Sequence, residues 1–353
     1  MAKESKEEIK SKYNHKELPP VKWYRFPLWC YMCFAKLFCY AFFGTGSVVL
    51  ALFVFPWIRV FHRDKETFQI KAREFVSGSF RFFTNVMRCT GSLRIVVSKE
   101  ERERFKNIHG KIIIANHPSM LDFVFIMSLV PNANCIVKGG LAKSILAGVV
   151  RQCYIVNTLD FNQLCELCKQ TIDKGNNVII FPEGTRTPRH GKNPFKKGAA
   201  RIAYYAKCGV QPVIVGGNDK YGLGKHDPFW SYNHTERYIY DLKLLPEIPI
   251  DEYKNLTETI AAKRLTDKMD ELKKEIKEVI ISTLQLEDIT PENIVDSEPL
   301  FGDGLGLDSI DALELGVGLK KHFGVKFSSE SSDNKKHFAS VDALAEYINQ
   351  ARG

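Results

Sequence analysis

The sequence predicts an α/β domain with a mixed, largely parallel sheet flanked by helices, preceded by membrane-associated helices and followed by a small all-α module. Three observations carry that expectation. Short β-branched runs alternate with helical patterns between residues 93 and 244, residues 37–58 contain no charge, and charge is divided unequally along the chain.

At 353 residues there is room for two domains, and 44% hydrophobic with 26% charged residues excludes an intrinsically disordered chain. The net charge of +9 conceals a split: from Gln285 onward there are 13 acidic and 6 basic residues, whereas the preceding 284 carry 44 basic and 28 acidic. A basic body suits an anionic membrane surface and an acidic tail suits docking onto that body. Without a recognisable binding module, no nucleic acid is expected as a partner. Nine cysteines with no cleavable secretory signal indicate a reducing compartment. Cys30/Cys33 and Cys165/Cys168 have metal-like spacing, but neither has a second ligand pair nearby. Phe161, Leu164, Cys165, Cys168 and Ile172 share one helical face, so these cysteines read as small core residues and no metal is expected.

Taken in order, residues 1–36 mix lysines with glutamates and end in Trp23, Tyr24, Trp29 and Tyr31, aromatics that prefer the headgroup level of a bilayer. The 22 uncharged residues of 37–58 suffice, as a helix of about 33 Å, to cross a membrane. Gly44-Thr45-Gly46 interrupts that run, Pro56 sits near its end, and Lys/Arg flank both sides, so a single span and a monotopic pair of half-buried helices both fit. The cytosolic character of everything after Ile58 favours the pair, at the cytoplasmic face of the cell membrane. Phe75, Val76, Phe80 and Phe83 then recur at helical spacing, for packing on the domain or on lipid.

Residues 93–97 read as a strand and 99–106 as a charged helix. Further strands are read at Ile112-Ile113-Ile114, Ile136-Val137, Tyr154-Ile155-Val156, Val178-Ile179-Ile180-Phe181, Pro212-Val213-Ile214-Val215 and residues 238–244. The Ile112 run stops at Asn116-His117-Pro118-Ser119, with an apolar helix over residues 121–130 just after it. This puts His117 in the turn and Asp122 in the first turns of the helix. From there the carboxylate can bend back to one ring nitrogen, fix the tautomer, and leave the other nitrogen to take a proton from a hydroxyl. The competing reading is a loop-capping histidine and an aspartate that merely favours the helix dipole. A second strand ends at Glu183-Gly184-Thr185-Arg186, where Gly184 permits close backbone approach and Arg186 offers a planar fork for a phosphate or carboxylate. Turns that end parallel strands face one crevice, so the two can share a site.

The order Asn-His-x-Ser-x-x-Asp, followed by Phe181-Pro182-Glu183-Gly184-Thr185-Arg186 and by Phe195-Lys196-Lys197-Gly198, resembles the glycerolipid (lysophosphatidate-type) acyltransferase family over roughly residues 60–265. The resemblance implies that His117 and Asp122 are the catalytic pair and that Glu183, Gly184, Thr185 and Arg186 bind the acceptor. Lys138, Gly148 and Tyr154-Ile155 fall in an intermediate block, with Lys138 as a further substrate-binding residue. The arginine expected to close that block stands here as Asn157, which weakens lysophosphatidate as the acceptor and leaves the acyl-transfer chemistry untouched.

From Met269, the pattern Leu272, Ile276, Val279, Ile280, Leu284 is an amphipathic helix, and residues 255–284 read as nearly continuous helix, a stiff tether. Gly302-Asp303-Gly304-Leu305-Gly306-Leu307-Asp308-Ser309-Ile310-Asp311 leads into a helix through Leu313, Leu315, Val317, Leu319 and Phe323, with a last helix over 341–348. This module resembles an acyl carrier protein of four helices. The resemblance implies that Ser309, next to Asp308, carries 4'-phosphopantetheine. A helix N-terminus suits that phosphate, although an N-cap is the ordinary job of such a serine.

The expected organisation is a basic N-terminus with a membrane-associated segment (1–62), an acyltransferase domain (63–266) and a carrier domain (267–353). The expected activity is O-acylation of a lysophospholipid, with the acyl thioester on its own carrier, on free carrier protein or on CoA. Alternatives are acylation of another lipid or pigment precursor, or an idle membrane anchor for the carrier. The expected partners are membrane lipid, a phosphopantetheinyl transferase, and enzymes of fatty acid or polyketide synthesis. No nucleophile elbow of the G-x-S-x-G kind is present, so direct attack without an acyl-enzyme is the expected route.

Overall fold

The computed structural model describes residue 13 and residues 20–257 apart from 190–192, 194, 229 and 236. It further describes residue 261, residues 277–286, 289, 294, 299–301, 305–325 and 337–352. Most of the expected tether, and the glycines at 302 and 304, lie outside these residues.

The chain begins with one helix of 39 residues, α1 (Trp23–Phe61), about 58 Å long at the usual rise. Gly44-Thr45-Gly46 does not break it, so the expected break into two helices within residues 37–58 is not found. Helix-internal glycine costs only about 1 kcal/mol, and Gly44 lies where an added Cβ would approach Ile145. The irregularity is instead a π-turn at Leu50–Val54, just ahead of Pro56. Proline has no N–H to give, and the wider turn closes with the Phe55 N–H donating to the Leu50 carbonyl. The buried stripe of α1 accordingly advances by five positions from Leu50 to Phe55.

The hairpin is made one step later. After residues 62–64 the chain reverses into α2 (Lys65–Cys89), whose N-cap Asp64 accepts from the Thr67 N–H at 2.7 Å. Phe42 stacks on Phe83, Phe43 on Phe80, and Phe55 meets Phe68 edge-on, so the arms run antiparallel. Val76, Phe80 and Phe83 are buried, while Phe75 is exposed. The outer face of α1 bears Trp23, Phe34, Leu52 and Phe53, all well exposed, and Trp57 and Phe61 near its end are exposed as well. By length and composition α1 is able to cross a membrane.

Seven strands form one sheet: β1 (Leu93–Val96), β2 (Ile112–Ala115), β3 (Ala133–Val137), β4 (Ile155–Val156), β5 (Asn177–Ile180), β6 (Val210–Gly216) and β7 (Tyr238–Leu244). Their order is β1-β7-β6-β2-β5-β3-β4, and every pairing is parallel except β6 with β7. Side chains alternate between the two faces as strand geometry requires. Ile112 and Ile114 join the core beneath α6 (Phe161–Asp173) and α7 (Gly198–Ala206), together with Cys165 and Cys168. Ile113 and Ala115 join the larger core shared with α1, α2, α4 (Asp122–Leu129) and α5 (Ala147–Cys153). Helix α3 (Lys99–Lys106) starts at the expected residue, capped by Ser98. Strands β2 and β5 are parallel neighbours, so the His117 turn and the 183–186 turn leave the sheet side by side.

The C-terminal module has its own core. Val279 and Ile280, in the described helical residues 277–283, pack with Leu315, Leu319 and Phe323 of α8 (Ser309–Phe323) and with Val341, Leu344 and Ile348 of α9 (Val341–Arg352). Leu313 and Val317 lie on the same helix as expected and are exposed, as is Ile310.

Candidate active site

His117 leaves β2 and Asp122 opens α4, five residues later. His117 Nδ1 lies 2.9 Å from Asp122 Oδ2. A carboxylate only accepts, so Nδ1 carries the proton and Nε2 is left as the acceptor. Asp122 is fully buried, and two further donors converge on it: the Ser119 N–H on Oδ2 at 2.7 Å, and the Ser119 hydroxyl on Oδ1 at 2.6 Å. Having spent its one proton there, Ser119 Oγ must accept from the Tyr240 hydroxyl 2.9 Å away. Burial, reinforced by the charge of Asp122, pushes the Tyr240 phenol far above its usual range and keeps it a donor. Sequence reasoning gave Ser119 no role and did not find Tyr240, which reaches the site because antiparallel β7 lies two strands away.

The imidazole stacks on Phe181, with ring centroids 4.3 Å apart. Its backbone is tied to the second turn, because Thr187 Oγ1 accepts the His117 N–H and the Thr187 N–H donates to the His117 carbonyl, each at 2.8 Å. Thr187 in turn donates to Glu183, whose other oxygen accepts from Asn193 at 2.9 Å. Glu183, buried, therefore braces the turn. Gly184 adopts φ +66°, a conformation that glycine takes without strain, with Lys196 lying across it.

The expected fork of Arg186 is partly committed. Nη1 donates to the carbonyls of Leu223 and Gly224, which leaves Nε and Nη2 without a protein hydrogen bond among the described residues. The loop it grips is fastened three residues further on. Arg189 forms a two-pronged ion pair with Asp227 at 2.7 Å and meets Asp219 at 2.9 Å, and Asp227 also accepts from the N–H groups of Gly222 and Gly224. No sequence argument had singled out Arg189 or Asp227.

These groups close one end of a cavity of about 1520 Å³ running between α1 and α2. His117, Gly184, Thr185, Arg186, Lys138, Asn157 and Lys225 are among its polar lining, and Phe42, Leu50, Phe80, Phe83, Val149 and Val150 are among the more numerous apolar residues. Gly148 lets α5 approach α1 so closely that an added Cβ would stand 2.3 Å from that of Ala51. All the residues expected at the site except Ser309 and Asp308 thus meet at one cavity or its supporting turn. In the other module Asp308 accepts from the N–H groups of Ile310 (2.7 Å) and Asp311 (3.0 Å), and Asp311 returns the bond at 2.8 Å. This capping box makes Asp308 the N-cap and puts Ser309 at the first helical position.

A histidine paired with a buried aspartate beside a largely apolar cavity, on an α/β scaffold, suits a lipid-directed transferase, and comparison with known proteins agrees. Residues 96–216 match the acyltransferase family and residues 274–348 the phosphopantetheine attachment site. The chain therefore carries a region that matches the acyltransferase family, followed by one that matches the phosphopantetheine attachment site. It is 27% identical to a putative 1-acyl-sn-glycerol-3-phosphate acyltransferase of Caenorhabditis elegans over 195 residues, 52% of this chain and 70% of that protein. It is 31% identical to the 1-acyl-sn-glycerol-3-phosphate acyltransferase of Helicobacter pylori over 114 residues, 30% of this chain and 48% of that one. The alignment thus spans less than half of the bacterial relative. Among solved structures, the 1-acyl-sn-glycerophosphate acyltransferase PlsC of Thermotoga maritima aligns with a TM-score of 0.49 and 23% identity, covering 68% of this chain and 95% of that one.

Proposed function

We propose that this protein transfers a fatty acyl group from a phosphopantetheine thioester to the free hydroxyl of a lysophosphatidate-type acceptor at a membrane surface. The observation that carries the reading is the His117–Asp122 pair, 2.9 Å apart, with His117 lining a cavity of about 1520 Å³ whose walls are mostly apolar. His117 Nε2 takes the proton of the acceptor hydroxyl as its oxygen attacks the thioester carbonyl. Asp122, held by Ser119, fixes the ring and stabilises the imidazolium. The tetrahedral intermediate collapses with loss of the thiolate, which recovers the proton from His117. Arg186 and Lys138 hold the acceptor's head group while Glu183, Gly184 and Thr185 shape the turn. The apolar length of the cavity takes acyl chain, and the exposed apolar face of α1 rests in lipid.

The donor is most simply the 4'-phosphopantetheine on Ser309. Asp308 caps the helix there, so the capping job that would explain the serine away is already taken. A donor tethered to the same chain gains effective concentration. Loading requires a phosphopantetheinyl transferase and an acyl supply from fatty acid or polyketide synthesis. We divide the chain into a membrane-associated part (1–62), an acyltransferase domain (63–266) and a carrier domain (267–353).

Two measurements test this. Incubation with a phosphopantetheinyl transferase and CoA should add one phosphopantetheine mass to the wild type and none to Ser309→Ala. Labelled acyl chain should pass from the loaded protein to lysophosphatidate with the wild type and not with His117→Ala; equal transfer by both refutes the mechanism.

A further inference from the structure

We propose that Lys225, held in place by Tyr13, is a further cation of the acceptor's head-group subsite, besides Arg186 and Lys138, and takes a phosphate monoester beside Arg186. This rests on the acyl-transfer reading above and deepens it. Asn157, which stands where an arginine was expected, lines the cavity. The same cavity is lined by Lys225, from the loop after β6.

Tyr13 stands 176 positions from Arg189 in sequence, yet it is only 4% exposed, buried against the site loops. Its hydroxyl donates to the Arg186 carbonyl at 3.1 Å and accepts from Asn193, which also bonds the same carbonyl. Its own carbonyl accepts from Arg189 at 2.7 Å. The ring lies under Lys225, with Nζ 4.5 Å from the centroid, and meets His226 edge-on at 5.5 Å. His226 sits at φ +66°, an unfavourable value for a side chain of that size, so this segment is held in shape by its surroundings. One aromatic residue thus holds the main chain of Arg186 and the ammonium of Lys225 together.

The electrostatics leave both cations available. Asp219 and Asp227 are engaged by Arg189, and Glu183 by Thr187 and Asn193. Among the described residues Lys225 has no carboxylate partner; its contacts are the face and hydroxyl of Tyr13. Arg186 grips the carbonyls of residues 223 and 224, which puts its guanidinium next to the residue that follows them. A guanidinium fork and a point-charge ammonium that line one cavity, neither with a carboxylate partner among the described residues, suit a dianionic phosphate.

The test uses the full chain and two readouts. By calorimetry, sn-glycerol 3-phosphate should bind the wild type and bind Lys225→Gln at least fivefold more weakly. In turnover, Lys225→Gln and Tyr13→Ala should raise the KM for lysophosphatidate about tenfold and leave donor KM and saturated kcat within twofold. Tyr13→Phe, which keeps the ring under Lys225, should stay within threefold of wild type. No glycerol 3-phosphate binding by the wild type, or an acceptor KM unmoved in Lys225→Gln, overturns the subsite, as does a fall in kcat alone. A wild type that binds glycerol 3-phosphate but transfers no acyl group sinks the proposed function and spares the subsite.

Discussion

Replacing Asp122 with asparagine isolates the charge of the buried acid from its geometry. The amide oxygen can take over the bonds from His117 Nδ1 (2.9 Å) and the Ser119 N–H (2.7 Å), while the amide nitrogen donates to Ser119 Oγ, which now accepts where it gave. Ring orientation and tautomer survive, so the loss is the attraction between a carboxylate and the imidazolium formed during proton transfer. At a separation of roughly 4 Å and an effective dielectric of about 20, that attraction is about 4 kcal/mol. At about 1.36 kcal/mol per tenfold change, the rate should fall about a thousandfold. The assay is single-turnover transfer from a loaded thioester to lysophosphatidate, with His117→Ala as the floor and a denaturation curve to confirm that folding is intact. A variant keeping more than a tenth of the wild-type rate would refute the role given to this charge.

Three further outcomes are expected. Arg189→Lys, which keeps the charge and loses the fork at a side chain only 14% exposed, should cost about 1–3 kcal/mol in denaturant unfolding; a change below about 0.5 kcal/mol would show that the 219–227 loop does not depend on it. Gly148→Ala should destabilise by about 1–3 kcal/mol through its clash with Ala51, and pairing it with Ala51→Gly should recover most of that loss. Burial pushes the thiols of Cys135, Cys153 and Cys168 up to about 12 and that of Cys208 to about 11. Their thiolates are therefore scarce at neutral pH and the groups are shielded as well, so mass spectrometry after brief alkylation of the folded protein should find exposed Cys89 modified long before these four.

What the sequence disclosed follows from the range of the interactions involved. The β2–turn–α4 segment was legible because its signals are local: a β-branched run, a proline, and an acid five residues beyond a histidine. The ends of α3 and β7 fell where the pattern put them, since Ser98 caps the one and strict alternation marks the other. The π-turn was not legible, because the eye fixes on Gly44-Thr45-Gly46, whereas the missing proline N–H is what reshapes the helix. Tyr240, Arg189, Asp227 and Tyr13 stayed hidden for a different reason. Each acts across tens to hundreds of residues, through a sheet neighbour or a loop clamp that no local period records. Arg186 was found, but its partial engagement with the Leu223 and Gly224 carbonyls could be seen only in three dimensions.

The wide turn at Leu50–Val54 also sets the rotational phase of everything on either side of it. Each helical residue advances the winding by about 100°, and the surplus residue is what lets Phe55 tuck inward after Leu50 while Trp57 and Phe61 look out. Deleting a single residue there would restore regular winding and swing residues 23–49 by that angle against the returning arm, turning Met32, Ala35 and Cys39 outward in place of their exposed neighbours. Length in this short segment is therefore constrained more tightly than side-chain identity, and homologous chains that share the cavity should vary here in composition before they vary in count.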